Sequence, residues 1–150
     1  MLISNQPHLL STQEYINGCN IQSETARKQL FDFSTGIYSM GIWNNVVFLP
    51  MRSSQNAFGS GFVYSLGGLG RAHGQMANDP QWNEEGMIFA TDASTGRNSR
   101  IDIPWNLFDI RENSTFFAVT NFGDQGGAFL QSYLAGSQSN QAYSPVFLRT

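Results

Sequence analysis

The sequence predicts an all-β fold, an antiparallel β-sandwich of jelly-roll type preceded by a short helical or extended N-terminal segment. Three observations carry this. From Gly36 onward the chain breaks into short runs rich in aromatic and β-branched residues, the side chains that fit a pleated, half-buried surface. Gly, Asn, Asp and Pro punctuate these runs, which is the turn chemistry of an antiparallel fold. No run after Gly36 sustains the 3.6-residue apolar period of a long amphipathic helix.

The elements follow in order. "STQEYI" from Ser11 opens like a capping box with Glu14 three residues on, and "SETARKQLF" from Ser23 sets good helix formers after a cap residue. Between them Asn17-Gly18 is a turn signal, so residues 1–35 read as short helices, a hairpin or an extended arm. The head domain then spans 36–150. Its candidate strands are "GIYSMGIW", "NVVFLP", "GFVYSL", "GMIFATD", "SRIDIPW", "STFFAVTNF", "GAFLQSYL" and "SPVFLRT". Alternation places Phe62, Tyr64 and Leu66 on one strand face, and Ile101 and Ile103 on another. Pro104 cannot donate to a ladder, so the strand before Trp105 bends or lies at an edge, with Trp105, Leu107, Phe108 and Ile110 continuing as core or as a subunit contact.

Composition restricts function. The formal net charge is -3, with Lys+Arg 8 against Asp+Glu 11, so no basic surplus exists to neutralise nucleic acid or an anionic membrane. Charged residues are 13% of the chain, against about 25% in ordinary domains; the polar surface is therefore expected to rest on amides and hydroxyls. Cys19 is the one cysteine, which excludes an intrachain disulfide and a cysteine zinc cage; it reads as a small, partly buried thiol. The start "MLISNQPHLL" has neither the basic flank nor the apolar run of a secretory signal, and no stretch is apolar enough to span a bilayer. Synthesis in the cytosol without membrane insertion is the expectation.

The stretch "GGLGRAHGQMANDPQWNEEG", Gly67 to Gly86, is the candidate site. Its glycines lack the Gly-Lys-Ser/Thr ending of a phosphate loop and the Gly-x-Gly-x-x-Gly spacing of a dinucleotide loop; they suit positive φ and close backbone approach at a strand end. A catalytic reading needs His73 beside Glu84 or Asp92 as acid and base, but neither a Gly-x-Ser-x-Gly elbow nor a His-Glu-x-x-His pair is present. Neither a metal set nor a cofactor motif is written here. A connection this long in a compact β domain is typically functional, and Trp82 stands in it among Asp79, Gln81, Asn83 and Glu84. An exposed aromatic ring stacks on the C–H face of a sugar while carboxylates and amides meet its hydroxyls. The expected ligand-binding residues are Trp82 for stacking, Asp79 and Asn83 for hydroxyls, and Arg71 or Arg97 for an acidic sugar, with His73 in support. "TDASTGRNSR" reads as a hairpin loop with Asp92, Arg97 and Asn98 at its tip, and Arg52, Asn56, Arg97 and Asp124 of "NFGDQGG" are loop residues that sandwich geometry would gather around the stretch.

An Asn/Gly/Ser-rich β domain with Lys28 as its single lysine, a lone Cys19 and a short hydrophobic C-terminal run "YSPVFLRT" resembles the receptor-binding head or tip domains of bacteriophage tail fibres and tail needles, and other viral fibre knobs. The resemblance implies a homotrimeric, jelly-roll-like or lectin-like head, made in the host cytoplasm and carried on the virion, that recognises a cell-surface glycan without catalysis. The alternatives are a carbohydrate-active hydrolase and a structural virion assembly protein.

Overall fold

The computed structural model describes residues 6–70 and 73–102. All of them belong to the first of two units into which the chain divides between Pro104 and Trp105. Two helices come first, α1 (Pro7–Gly18) and α2 (Glu24–Ser39). Seven short strands follow: β1 (Phe62–Val63), β2 (Gly74–Ala77), β3 (Gln81–Trp82), β4 (Met87–Ile88), β5 (Thr91–Asp92), β6 (Arg97–Asn98) and β7 (Arg100–Asp102). They make a three-stranded antiparallel sheet in the order β1-β2-β7 and two two-stranded ribbons, β3-β4 and β5-β6. The expected jelly-roll sandwich is overturned, because the core is a helix pair and the β pieces are small satellites.

Helix α1 begins at Pro7, whose fixed φ suits the first helical position and whose missing N–H would have no partner there. Ser11 lies inside the helix rather than capping it. The end is fixed by Asn20, which takes a positive φ of 53°, while the Ile21 N–H reaches the Ile16 carbonyl at 3.0 Å and the Asn20 N–H the Asn17 carbonyl at 3.1 Å. This is the Schellman pattern with Asn in the glycine position, and Ile21 and Ile16 are both buried. The Asn17-Gly18 pair is thus the last turn of a helix, not a hairpin.

Helix α2 starts as the sequence suggests: the Ser23 hydroxyl accepts from the Ala26 N–H at 3.3 Å. Ala26, Leu30 and Ser34 recur every four residues and form its buried stripe, with the Ser34 hydroxyl donating to the Phe31 carbonyl at 3.1 Å. The stripe carries the helix through Gly36 to a stop at Gly41, φ 74°. "GIYSMGIW" is therefore a helix end and a 3-10 turn (Trp43–Asn45), not a strand. Tyr15, Ile16, Cys19, Ile21, Ala26, Leu30, Trp43 and Leu66 form the core.

The remaining runs are anchors more than strands. Phe48 and Leu66 exchange two backbone hydrogen bonds, at 2.7 and 2.8 Å, as one antiparallel bridge. The Phe33 ring meets the Phe48 ring at 4.3 Å between centroids and ties that bridge to α2. Within "GFVYSL" the expected alternation fails: Val63 is fully buried while Phe62 is 45% exposed. Register in the main sheet pairs Phe62 with Gln75 and Met76 with Ile101. Ile103, the Trp105 to Ile110 patch and the runs from "STFFAVTNF" to "SPVFLRT" lie outside the described residues.

A buried carboxamide joins these parts. Asn56 is 3% exposed; its Nδ2 donates to the carbonyls of Pro50 at 2.6 Å and Tyr64 at 3.0 Å. Its Oδ1 accepts from the N–H groups of Ala57 at 2.8 Å and Tyr64 at 3.0 Å. Both donors and the acceptor oxygen are filled, the condition for a buried amide to stabilise rather than cost. Nearby, the Tyr15 hydroxyl donates to the Gln55 carbonyl at 2.8 Å, fastening α1 to the 3-10 turn Ser53–Gln55. Asn56, read from sequence as a loop residue, is a core residue. Asn56→Ala strands several buried backbone groups, and urea unfolding is expected to show a loss of about 2–4 kcal/mol. A loss under about 0.5 kcal/mol would contradict the assignment.

Candidate functional site

The stretch from Gly67 to Gly86 is not a free loop. At its start, Gly67 has φ 138°, and a Cβ there would lie 2.1 Å from the Val46 carbonyl oxygen. A Cβ on Gly68 would lie 2.6 Å from Trp43 Cδ1 and 2.7 Å from the Trp43 carbonyl oxygen, which accepts from the Gly68 N–H at 3.0 Å. The glycines thus let the backbone pass against Trp43. β2 joins β1 and β7, Pro80 is buried, and β3-β4 closes through a turn at Asn83–Gly86.

Between β2 and β3 the chain takes two successive positive-φ residues, Asn78 and Asp79, each at 57°. This conformation is tolerated best by Asn and Asp, though the residue before a proline is ordinarily pushed toward extended backbone. The bend leaves Asp79 exposed, with its carboxylate taking no hydrogen bond from the described residues. Trp82 follows on β3, half-buried, its Nε1 reaching the Ser60 carbonyl at 3.4 Å. Asp79, Gln81, Trp82 and Met76 thereby face the segment Phe58–Gly61 across an open groove of about 550 Å³. Phe58 is 70% exposed. On its other side Phe58 and Ser60 also line a second groove, of about 500 Å³, with Asn20, Gln22, Ser53 and Ser54. Phe58 and Ser60 thus line both open grooves, whose linings mix apolar and polar groups.

Of the sequence-derived binding residues, Asp79 and Trp82 come together at the groove. Asn83 faces its own turn: its Oδ1 accepts from the Glu85 N–H at 3.1 Å and its backbone carbonyl from the Ser53 N–H at 2.9 Å. His73 packs against Tyr64 at 4.7 Å between ring centroids, and its Nδ1 accepts from the Ser65 N–H at 3.1 Å. That lone pair is committed to the backbone, so His73 holds β1 to the start of β2. Arg97 is exposed on the β5-β6 hairpin, where it pairs with Asp92 across the ladder. Arg71 and Asp124 lie outside the described residues. Phe58, Ser60 and Gln81 complete the groove. Phe58 is not among the residues the sequence nominates; its signal is an aromatic side chain set among the small turn residues of "NAFGSG".

Of the candidate acids, Glu84 is not poised for proton donation. Glu84 is exposed and accepts from the Ser53 hydroxyl; the Ser53 and Ser54 hydroxyls hold its carboxyl below the ordinary range, so it stays ionised rather than poised as an acid. The Cys19 thiol is pushed up by burial and stays protonated, its Sγ 4.0 Å from Asn56 Oδ1. Among the described residues no group of three or more His, Cys, Asp or Glu is placed to hold a metal ion. No described helix is long and apolar enough to cross a membrane. Comparison with protein-family models, with characterised proteins and with solved structures finds no match for this chain.

The packing of the glycine pair gives a direct check. Gly68→Ala forces Trp43 or the backbone to shift and is expected to cost about 1–3 kcal/mol in urea unfolding, whereas Gly18→Ala, with open space around its added methyl group, should be neutral or stabilising. Equal stability of the two variants would contradict the close approach.

Proposed function

We propose that this protein is a non-enzymatic carbohydrate-binding module whose ligand lies in the groove between Phe58 and Trp82. The observation that carries the reading is the pairing of two aromatic side chains, one of them largely exposed, with a free carboxylate at Asp79 and the amide of Gln81. Aromatic faces take the apolar side of a pyranose, while the carboxylate and amide take vicinal hydroxyls. An open groove of mixed apolar and polar lining suits a saccharide better than a drug-like apolar ligand, which prefers an enclosed cavity.

The described lining residues carry one carboxylate and no basic side chain, so the class favoured is a neutral, hydroxyl-rich sugar. A glycosidase needs a second carboxylate within about 5–9.5 Å of the first; the described lining supplies Asp79 alone. The resemblance in composition to viral fibre tips suggests the setting: a virion protein made in the host cytoplasm, homotrimeric, engaging a glycan on the host cell surface. The sandwich that accompanied that resemblance is no part of the reading.

A second reading, an assembly protein of the virion, is favoured by Tyr38, Met40 and Ile42, large apolar side chains that are 42%, 70% and 40% exposed within one short segment. In that case the grooves are covered in the assembled particle.

Glycan-array binding or host-cell pull-down tests the proposal. Trp82→Ala and Phe58→Ala are each expected to weaken binding about tenfold or more, a loss of about 1.4 kcal/mol, with the far-ultraviolet circular dichroism unchanged; Arg97→Ala should leave binding intact. Loss of binding only where the fold is lost would sink the reading.

A further inference from the structure

His8 is 1% exposed, and among the described residues neither Nδ1 nor Nε2 has a hydrogen-bond partner. It lies in the first turn of α1, stacked on Tyr38 near the end of α2 with ring centroids 4.1 Å apart and planes at 17°. Trp43 meets its edge at 6.1 Å and 68°. Its own carbonyl accepts from the Thr12 hydroxyl at 2.7 Å, which fixes the backbone but does nothing for the ring. A neutral imidazole always keeps one N–H and one lone pair, so both are buried here at a cost. A cationic ring would cost more still, with two N–H donors and a full charge in the same place.

From these contacts we infer that His8 is an acid-sensitive latch: the neutral ring closes the first turn of α1 onto Tyr38 and Trp43, and its protonation releases that turn from α2. The screen is thin, because Tyr38 itself is 42% exposed, so a small outward movement of α1 brings the ring to water. Retaining it as a cation in place has little support from its surroundings. On α1 the charged residue is Glu14, further along the helix, and the N-terminal end where His8 sits is the positive pole. On α2 the titratable group against the ring is the Tyr38 phenol; Glu24, Arg27, Lys28 and Asp32 belong to the preceding turns. From the 3-10 turn the facing group is the Trp43 indole. The α2 carbonyls of Gly36 and Tyr38 are already taken by the N–H groups of Met40 and Gly41, so that helix end offers a cation less than an uncapped one.

The direction of the pH effect follows. Burial lowers the His8 pKa below its ordinary 6.5, so the released state binds the proton first. The closed state is favoured in full above that value and loses ground as pH falls from 6.5 toward the lowered folded value, by at most about tenfold in the equilibrium constant per pH unit for one proton. His73 is the only other histidine, so paired variants at His8 and His73 separate the contributions of the two imidazoles.

The test is amide hydrogen exchange and imidazole proton NMR on the full chain across pH 5 to 8. Protection of Thr12 to Ile16 is expected to fall by up to about tenfold per unit below pH 6.5, together with a His8 titration below 6.5. His8→Phe should abolish the pH slope at those amides and His73→Gln should keep it. A His8 resonance titrating at its ordinary value without loss of α1 protection would overturn the latch, as would a His8→Phe variant with the wild-type slope. Should His8→Phe fail to fold, the wild-type titration decides alone.

Discussion

The Asn56 carboxamide is the constraint on which the rest of the arrangement depends. The segment from Trp43 to Leu66 contains little regular structure, two 3-10 turns and two strand residues, so its backbone groups cannot satisfy one another through a ladder. Buried backbone N–H and C=O groups need partners. One side chain supplies four of those contacts, joining Pro50, Ala57 and Tyr64 around a single buried point. It sits against Cys19 of the helix pair on one side and begins the Phe58–Gly61 wall of the grooves on the other. A local amide thus links the helical core to the surface that the functional reading uses.

Parts of this were legible in the sequence. Ser23 caps α2 because its hydroxyl is followed by good helix formers and its Ala26 N–H is within reach, a local pattern that needs no tertiary information. Cys19 is a buried thiol, as an unaccompanied cysteine suggests. Gly67 and Gly68 do serve close backbone approach and positive φ, although what they approach, Trp43 and Val46, lies over twenty positions away and is invisible to a local reading. The β5-β6 hairpin follows from the turn chemistry of "TDASTGRNSR", with Asp92 and Arg97 paired in the ladder rather than at the tip.

The misreadings have a common cause. Aromatic and β-branched runs predict strands, but such residues equally serve as plugs that hold irregular chain onto a helical core. Trp43, Phe48 and Leu66 do this. The buried stripe of α2 includes Ser34 and passes Gly36, a polar residue and a helix breaker that hide its period. Asn20 ends α1 in place of the more familiar glycine. At the groove, Asp79 and Trp82 were legible because they share one bend and one strand. Phe58 was not, because its meeting with them depends on Asn56 and on the Trp82 contact to Ser60, both set by tertiary geometry.

The most direct measurement of the central claim is native-state hydrogen exchange at the Ala57 and Tyr64 amides, which donate to Asn56 Oδ1. Neither amide belongs to a helix or strand ladder, so a buried side-chain acceptor is the reason for either to be slow. Protection comparable to that of Leu66, a core residue with a backbone acceptor, is the predicted result. Exchange at the rate of an open loop, with Leu66 still protected, would contradict the account.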